Sequence, residues 1–220
     1  VSADGNRPLV VQGQPGTGKT VIAAHRAVYL TSGEREDDRI ARVAIVGPGL
    51  DFVNRGEGFD FYPPQTIQPL AVIDSLLRLK LARLDTLEVT TFDVSKRVNQ
   101  HLLRARNSRN YVVQLPRDPE WGWRREAVQF WERFGENIGS SVKPAEPPDD
   151  LKDLQLRAVA VRPAVLDRIT PVDLNIVYQR LELPPSELFD LIIGTNIFVY
   201  YDRFQQALAL ANVERMLRPG

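Results

Sequence analysis

The 220-residue chain contains no cysteine, which excludes disulfides, thiolate zinc sites and a cysteine nucleophile and makes a reducing cytoplasm the expected setting. It has no net charge either. Lys plus Arg and Asp plus Glu both number 28, so no global field draws in nucleic acid or anionic lipid, and any polyanion contact must be local. No apolar run is long enough to span a bilayer, and the first residues lack the basic-then-apolar pattern of a signal peptide. No internal repeat is present. The two histidines, His25 and His101, stand far apart without metal or triad spacing and read as structural or surface residues.

What is present is enough for a folded core: 43% of the residues are hydrophobic. Residues 9–12 read as a strand, followed by a glycine loop and a helix over 19–30 that stops at Ser32-Gly33. A second strand over 43–46 ends at Gly47-Pro48-Gly49, completing a βαβ unit with the two strands parallel. The aperiodic segment 51–68 is expected to be an ordered covering loop, and 69–84 carries leucines at helical spacing. A strand over 87–92 then ends at Asp93, and Ser95 is placed to cap a helix over 96–106. Trp123, Ala127, Phe130, Trp131 and Phe134 share one helical face, read as core or the inside of a lid. Residues 154–161 and 175–178 are candidate strands; 188–193 is a stronger one, with a helix over 202–217 after it. A first residue Val1 and a close on Pro219-Gly220, where a helix-ending turn would lead into another strand, read as a fragment or truncated product.

Gly13-Gln14-Pro15-Gly16-Thr17-Gly18-Lys19-Thr20 is a complete phosphate-binding loop after an apolar strand. Gly13, Gly16 and Gly18 let backbone amides turn around a phosphate at a helix start, Lys19 adds a point charge, and the Thr20 hydroxyl can hold magnesium through a bound nucleotide. Residues 9–46 resemble the first motif of superfamily-one helicases. That resemblance implies MgATP or MgGTP binding, but hydrolysis also needs a metal-holding acid, and no strand ends in Asp-Glu.

Residues 42–220 resemble a class I S-adenosylmethionine-dependent methyltransferase. The resemblance rests on Gly47 and Gly49 in a turn after a strand, Asp93 closing the next strand, and Phe189-Asp190 opening a later one. Asn196-Ile197-Phe198-Val199-Tyr200-Tyr201 followed by Leu217-Arg218-Pro219-Gly220 is similar to the chemotaxis-receptor branch of these enzymes. It implies an α/β, mostly parallel, helix-flanked Rossmann-like sheet, with S-adenosylmethionine held by Gly47, Gly49, Asp93, Val94 and Asn196. Asp93 would accept from the ribose hydroxyls, and the adenine would lie near Val94. The methyl acceptor and the catalytic residues cannot be read from the sequence, because acceptor-binding residues lie in variable loops.

These readings divide the chain into a phosphate-loop βα segment over 1–38 and a methyltransferase-like domain over 39–220. The second would carry a lid or insertion at 51–84, folded over the cofactor, and a helical insertion at 107–150. Strand 9–12 would either fill the place beside 188–193 in the sheet or belong to a foreign graft. Methyl transfer, nucleotide binding without hydrolysis, and a non-catalytic remnant are the alternatives. Arg104, Arg106 and Arg109 read as a solvated face, and Asp149-Asp150 as solvated loop acids.

Overall fold

The computed structural model describes residues 40–51, 61–120, 122–195 and 197–219. In chain order its elements are β1 (Arg42–Val46), α1 (Gln68–Arg78), β2 (Glu88–Asp93), α2 (Lys96–Arg106), β3 (Val112–Arg117), α3 (Arg125–Arg133), β4 (Gly139–Val142), β5 (Gln155–Val161), α4 (Pro163–Leu166), β6 (Ile169–Asp173), β7 (Leu191–Gly194) and α5 (Arg203–Met216). The chain is α/β and Rossmann-like: a parallel sheet of order β6-β2-β1-β7 is flanked by helices. The phosphate loop 13–20 and strand 9–12 lie outside the described residues, as does Asn196.

β1 is apolar from Val43 to Val46 because both faces of a parallel strand are covered. Val43 and Ile45 point into one buried cluster with α1, α2 and the antiparallel strands, whereas Ala44 and Val46 point into the other with Phe92, Phe189 and α5. The alternation of one strand thus separates the two layers of the core.

α1 forms one of those layers, so this part of 51–84 is a core helix rather than a lid. Leu70, Val72, Ile73 and Leu76 are almost fully buried. Pro69 suits its first turn, where an amide proton has no intrahelical partner. The leucine spacing continues to 84, but the helix stops at Arg78. Lys80 adopts φ +59°, and the Leu81 and Lys80 amides bond back to the Leu76 and Leu77 carbonyls, a left-handed closure that terminates the helix.

Residues 107–161 hold an antiparallel sheet of order β3-β5-β4 with α3 beside it, so the segment 107–150, expected to be helical, contributes the strands β3 and β4 as well as a helix. Val113 and Leu115, alternate residues of β3, are buried with Val159 and Val161 of β5. Of the aromatic face, Phe134 is fully buried, Phe130 and Trp131 pack against the core edge, and Trp123 stays exposed. Residues 175–178 form a helical turn instead of a strand. The Asn175 side chain accepts from Val177 N at 3.0 Å and its carbonyl accepts from Tyr178 N, local bonds that outcompete strand pairing.

The Phe-Asp pair before β7 has a structural role. Phe189 stacks edge-on against Phe92 and bridges to Leu217, while Asp190 accepts from the Ala41 and Arg42 amides at 2.8 and 2.9 Å and pairs with Arg218 at 2.6 Å. Asp190 therefore ties the start of β1 to the end of α5. It also explains why β7 begins only at Leu191. Asp202 and Gln205 form a reciprocal capping box at the start of α5. Ser95 caps α2, accepting from Val98 N.

Candidate functional site

The direction of chain progression reverses beside β1: β2 lies on one side and β7 on the other. In open α/β sheets ligands bind outside the carboxyl ends of the strands at such a switch point. The register brings a row of chemistry to that edge. Val46 pairs with both Phe92 and Gly194, so the next residues, Gly47, Asp93 and Thr195, stand side by side, and Asp93 pairs with Asp173 beyond.

Gly47 and Gly49 both hold φ +66°, a left-handed conformation that favours glycine. Their surroundings differ. A Cβ on Gly47 would lie 3.1 Å from Ile197 Cδ1, and its amide donates to the Phe92 carbonyl at 2.8 Å. Among the described residues, a Cβ on Gly49 would meet nothing within 4 Å, which leaves room for a ligand on that face.

Asp93 is half-buried. Its Oδ1 accepts from Ser95 N at 2.8 Å, and its carbonyl accepts from Asn99 Nδ2 at 2.9 Å. These bonds fix the carboxylate at the α2 entrance while leaving acceptor capacity for two further donors. Val94 beside it is 61% exposed. Tyr201 faces the same mouth: desolvation pushes its phenol up, and the neighbouring Asp93 and Tyr178 add to that shift. Tyr178 accepts from Gln205 Nε2 at 3.4 Å.

A second group reaches the site from the segment before α1. Gln68 Nε2 donates to Thr195 Oγ1 at 2.6 Å, across the switch point. Buried Thr66 donates its hydroxyl to the Gly49 carbonyl at 3.2 Å, and its amide donates to Tyr111 Oη at 3.1 Å. Ile67 N donates to Asp51 Oδ2 at 2.6 Å. Asp51 keeps an open outer face, yet desolvation of its carboxyl raises its pKa against the opposing Ile67 bond. The buried Gln65 amide donates to and accepts from the Gln114 backbone, both at 2.7 Å, fastening this strap to β3.

His101 lies on α2 with its Nε2 2.9 Å from Tyr111 Oη. Desolvation lowers its pKa, with Arg104 and Arg97 acting in the same direction. The Tyr111 phenol is pushed up to about 12 by desolvation, eased by Thr66 N and reinforced by Asp51. Both are neutral at pH 7.

Of the residues expected to bind a cofactor, Gly47, Gly49, Asp93 and Val94 come together at one edge; Asn196 lies outside the described residues. Thr66, Gln68, Tyr111 and Thr195 also belong to this region and carry no local signature. Arg104, Arg106 and Arg109 are exposed, as are Asp149 and Asp150. Among the described residues no group of three or more His, Cys, Asp or Glu side chains is arranged to hold a metal ion, and no helix is long and apolar enough to cross a membrane. Comparison of the chain with protein-family models and with curated proteins gives no match.

Proposed function

We propose that the carboxyl edge of the parallel sheet binds S-adenosylmethionine and that the chain is a methyltransferase-like protein. The reading rests on one observation above the others: the left-handed Gly47 and Gly49 and the carboxylate of Asp93 stand on adjacent strands at the switch point. The residues fit the ligand. Gly49 leaves its face open to the amino-acid end, Asp93 offers paired acceptors to the ribose hydroxyls, and exposed Val94 offers an apolar surface to the adenine.

S-adenosylmethionine would supply an activated methyl group. The protein has only to hold it in line with an acceptor and exclude water, tasks that require no acid–base pair. The acceptor would enter over the mouth formed by Tyr178 and Tyr201.

Calorimetry with S-adenosylhomocysteine tests the proposal. Wild type is expected to bind, and Asp93→Ala to weaken binding by at least about tenfold, the cost of leaving desolvated hydroxyls without acceptors. Asp93→Asn retains an oxygen for Ser95 N and loses the second acceptor, so it should weaken binding too. Equal affinity in all three proteins would refute the role of Asp93.

A nucleotide-binding reading is favoured separately by Gly13, Gly16, Thr17, Gly18, Lys19 and Thr20. MgATP titration of wild type and Lys19→Ala addresses it, with phosphate release expected near background because no residue recognisable from the sequence positions the attacking water.

A further inference from the structure

Four hydrogen-bonding groups run in sequence from α2 to the glycine turn. His101 Nε2 and Tyr111 Oη are 2.9 Å apart, Thr66 N donates to Tyr111 Oη at 3.1 Å, and Thr66 Oγ1 donates to the Gly49 carbonyl at 3.2 Å. Tyr111 stands between two elements, α2 on one side and the strap 65–67 on the other. The same strap holds the turn from its far end, through Ile67 N to Asp51 and the paired backbones of Asp51 and Gln65.

We propose that Tyr111 is a positioning residue: it holds the Gly47–Gly49 turn in its ligand-binding geometry through Thr66, and it makes that geometry depend on the protonation of His101. The inference rests on the ligand reading above only for its effect on affinity; the coupling between His101 and the turn stands apart from any ligand.

The direction of the coupling follows from the donors available. A phenol has one proton and can accept twice. In the neutral His101 tautomer that carries its proton on Nδ1, Nε2 accepts a hydrogen bond from the Tyr111 hydroxyl, and the polarised oxygen becomes a stronger acceptor for Thr66 N. Protonation of His101 converts Nε2 into a donor. Tyr111 must then accept from it, its own proton loses its partner, and the Thr66 bond weakens.

Burial disfavours the imidazolium form of His101, and Arg104 and Arg97, which flank it on α2, lower its pKa further. From the other elements, Tyr111 faces it directly and the charge of Asp51 acts on Tyr111. The coupling therefore acts below the ordinary histidine range. Asp51, whose own titration is raised, is the other group that could move the turn in acid.

Three variants separate these effects. Tyr111→Phe keeps the ring and loses the hydroxyl; His101→Gln keeps a polar partner for Tyr111 without titrating; Asp51→Asn removes the second acid. The first readout is the pH titration of the Gly49 and Thr66 amide resonances without ligand. In wild type and in Asp51→Asn they are expected to titrate with a midpoint below the usual histidine value, and in Tyr111→Phe and His101→Gln to be flat over that range.

The second readout is S-adenosylhomocysteine affinity. It should fall as wild type is acidified through that midpoint, stay level in His101→Gln, and be about fivefold weaker at neutral pH in Tyr111→Phe, the worth of one hydrogen bond. Amides that are flat in wild type, or that titrate unchanged in Tyr111→Phe, would overturn the proposal. Titrating amides in a protein that binds no S-adenosylhomocysteine would uphold the coupling and overturn the ligand reading instead.

Discussion

Gly47 and Gly49 share one backbone conformation and differ in what a side chain would meet, so they make a matched pair. Substitution by alanine places an L-residue at φ +66° in either case, a cost of about 1–2 kcal/mol. At Gly47 the new methyl also presses on Ile197 Cδ1, whereas at Gly49 it meets nothing within 4 Å among the described residues. Urea unfolding should therefore show Gly47→Ala to be the less stable variant. Gly49→Ala should lose more S-adenosylhomocysteine affinity than its stability loss explains, because its methyl stands where the ligand approaches. These two glycines and Asp93 were legible in the sequence because a glycine turn and a strand-ending acid are local patterns. Thr66, Tyr111 and Thr195 were not, since each acquires its role from a partner brought to it by the fold: Gly49, His101 and Gln68 respectively.

At the level of elements, α1 and the insertion are joined through a buried acid. Asp74 Oδ1 accepts from Asn137 N at 3.0 Å and Asn137 Nδ2 at 3.3 Å. Burial raises its pKa, outweighing the bonds from Asn137 and Gly135 and the charge of Arg78. The folded state thus holds its proton at a pH where the unfolded chain has lost it. Asp74 consequently contributes most to stability below the ordinary carboxylate range, and that contribution declines as pH rises toward its raised value. Asp74→Asn should remove this decline, seen as a flatter pH dependence of the urea midpoint across that interval; an unchanged slope would show that another group carries it. The sequence marks α1 clearly by its leucine spacing yet gives no sign that Asp74 faces inward. It also underdetermines β3 and β4, whose short polar-containing strands acquire their identity by pairing with β5. Turn 175–178 fails in the opposite sense: its Ile176 and Val177 resemble a strand, but Asn175 supplies the bonds that bend it.

Across the whole molecule, the two faces of β1 anchor the two layers of the core, and the order β6-β2-β1-β7 turns separate sequence signals into one edge. That order was the feature the sequence left open. β1 lies between β2 and β7. Burial of both faces of β1 imposes this placement more than any motif does. The most direct measurement is an amide chemical-shift map of the full chain during titration with S-adenosylhomocysteine. Binding at the carboxyl edge should concentrate the changes at Gly47, Gly49, Asp93, Val94 and Thr195. Changes confined to Gly13–Thr20, or no change at saturating ligand, would contradict the proposed site.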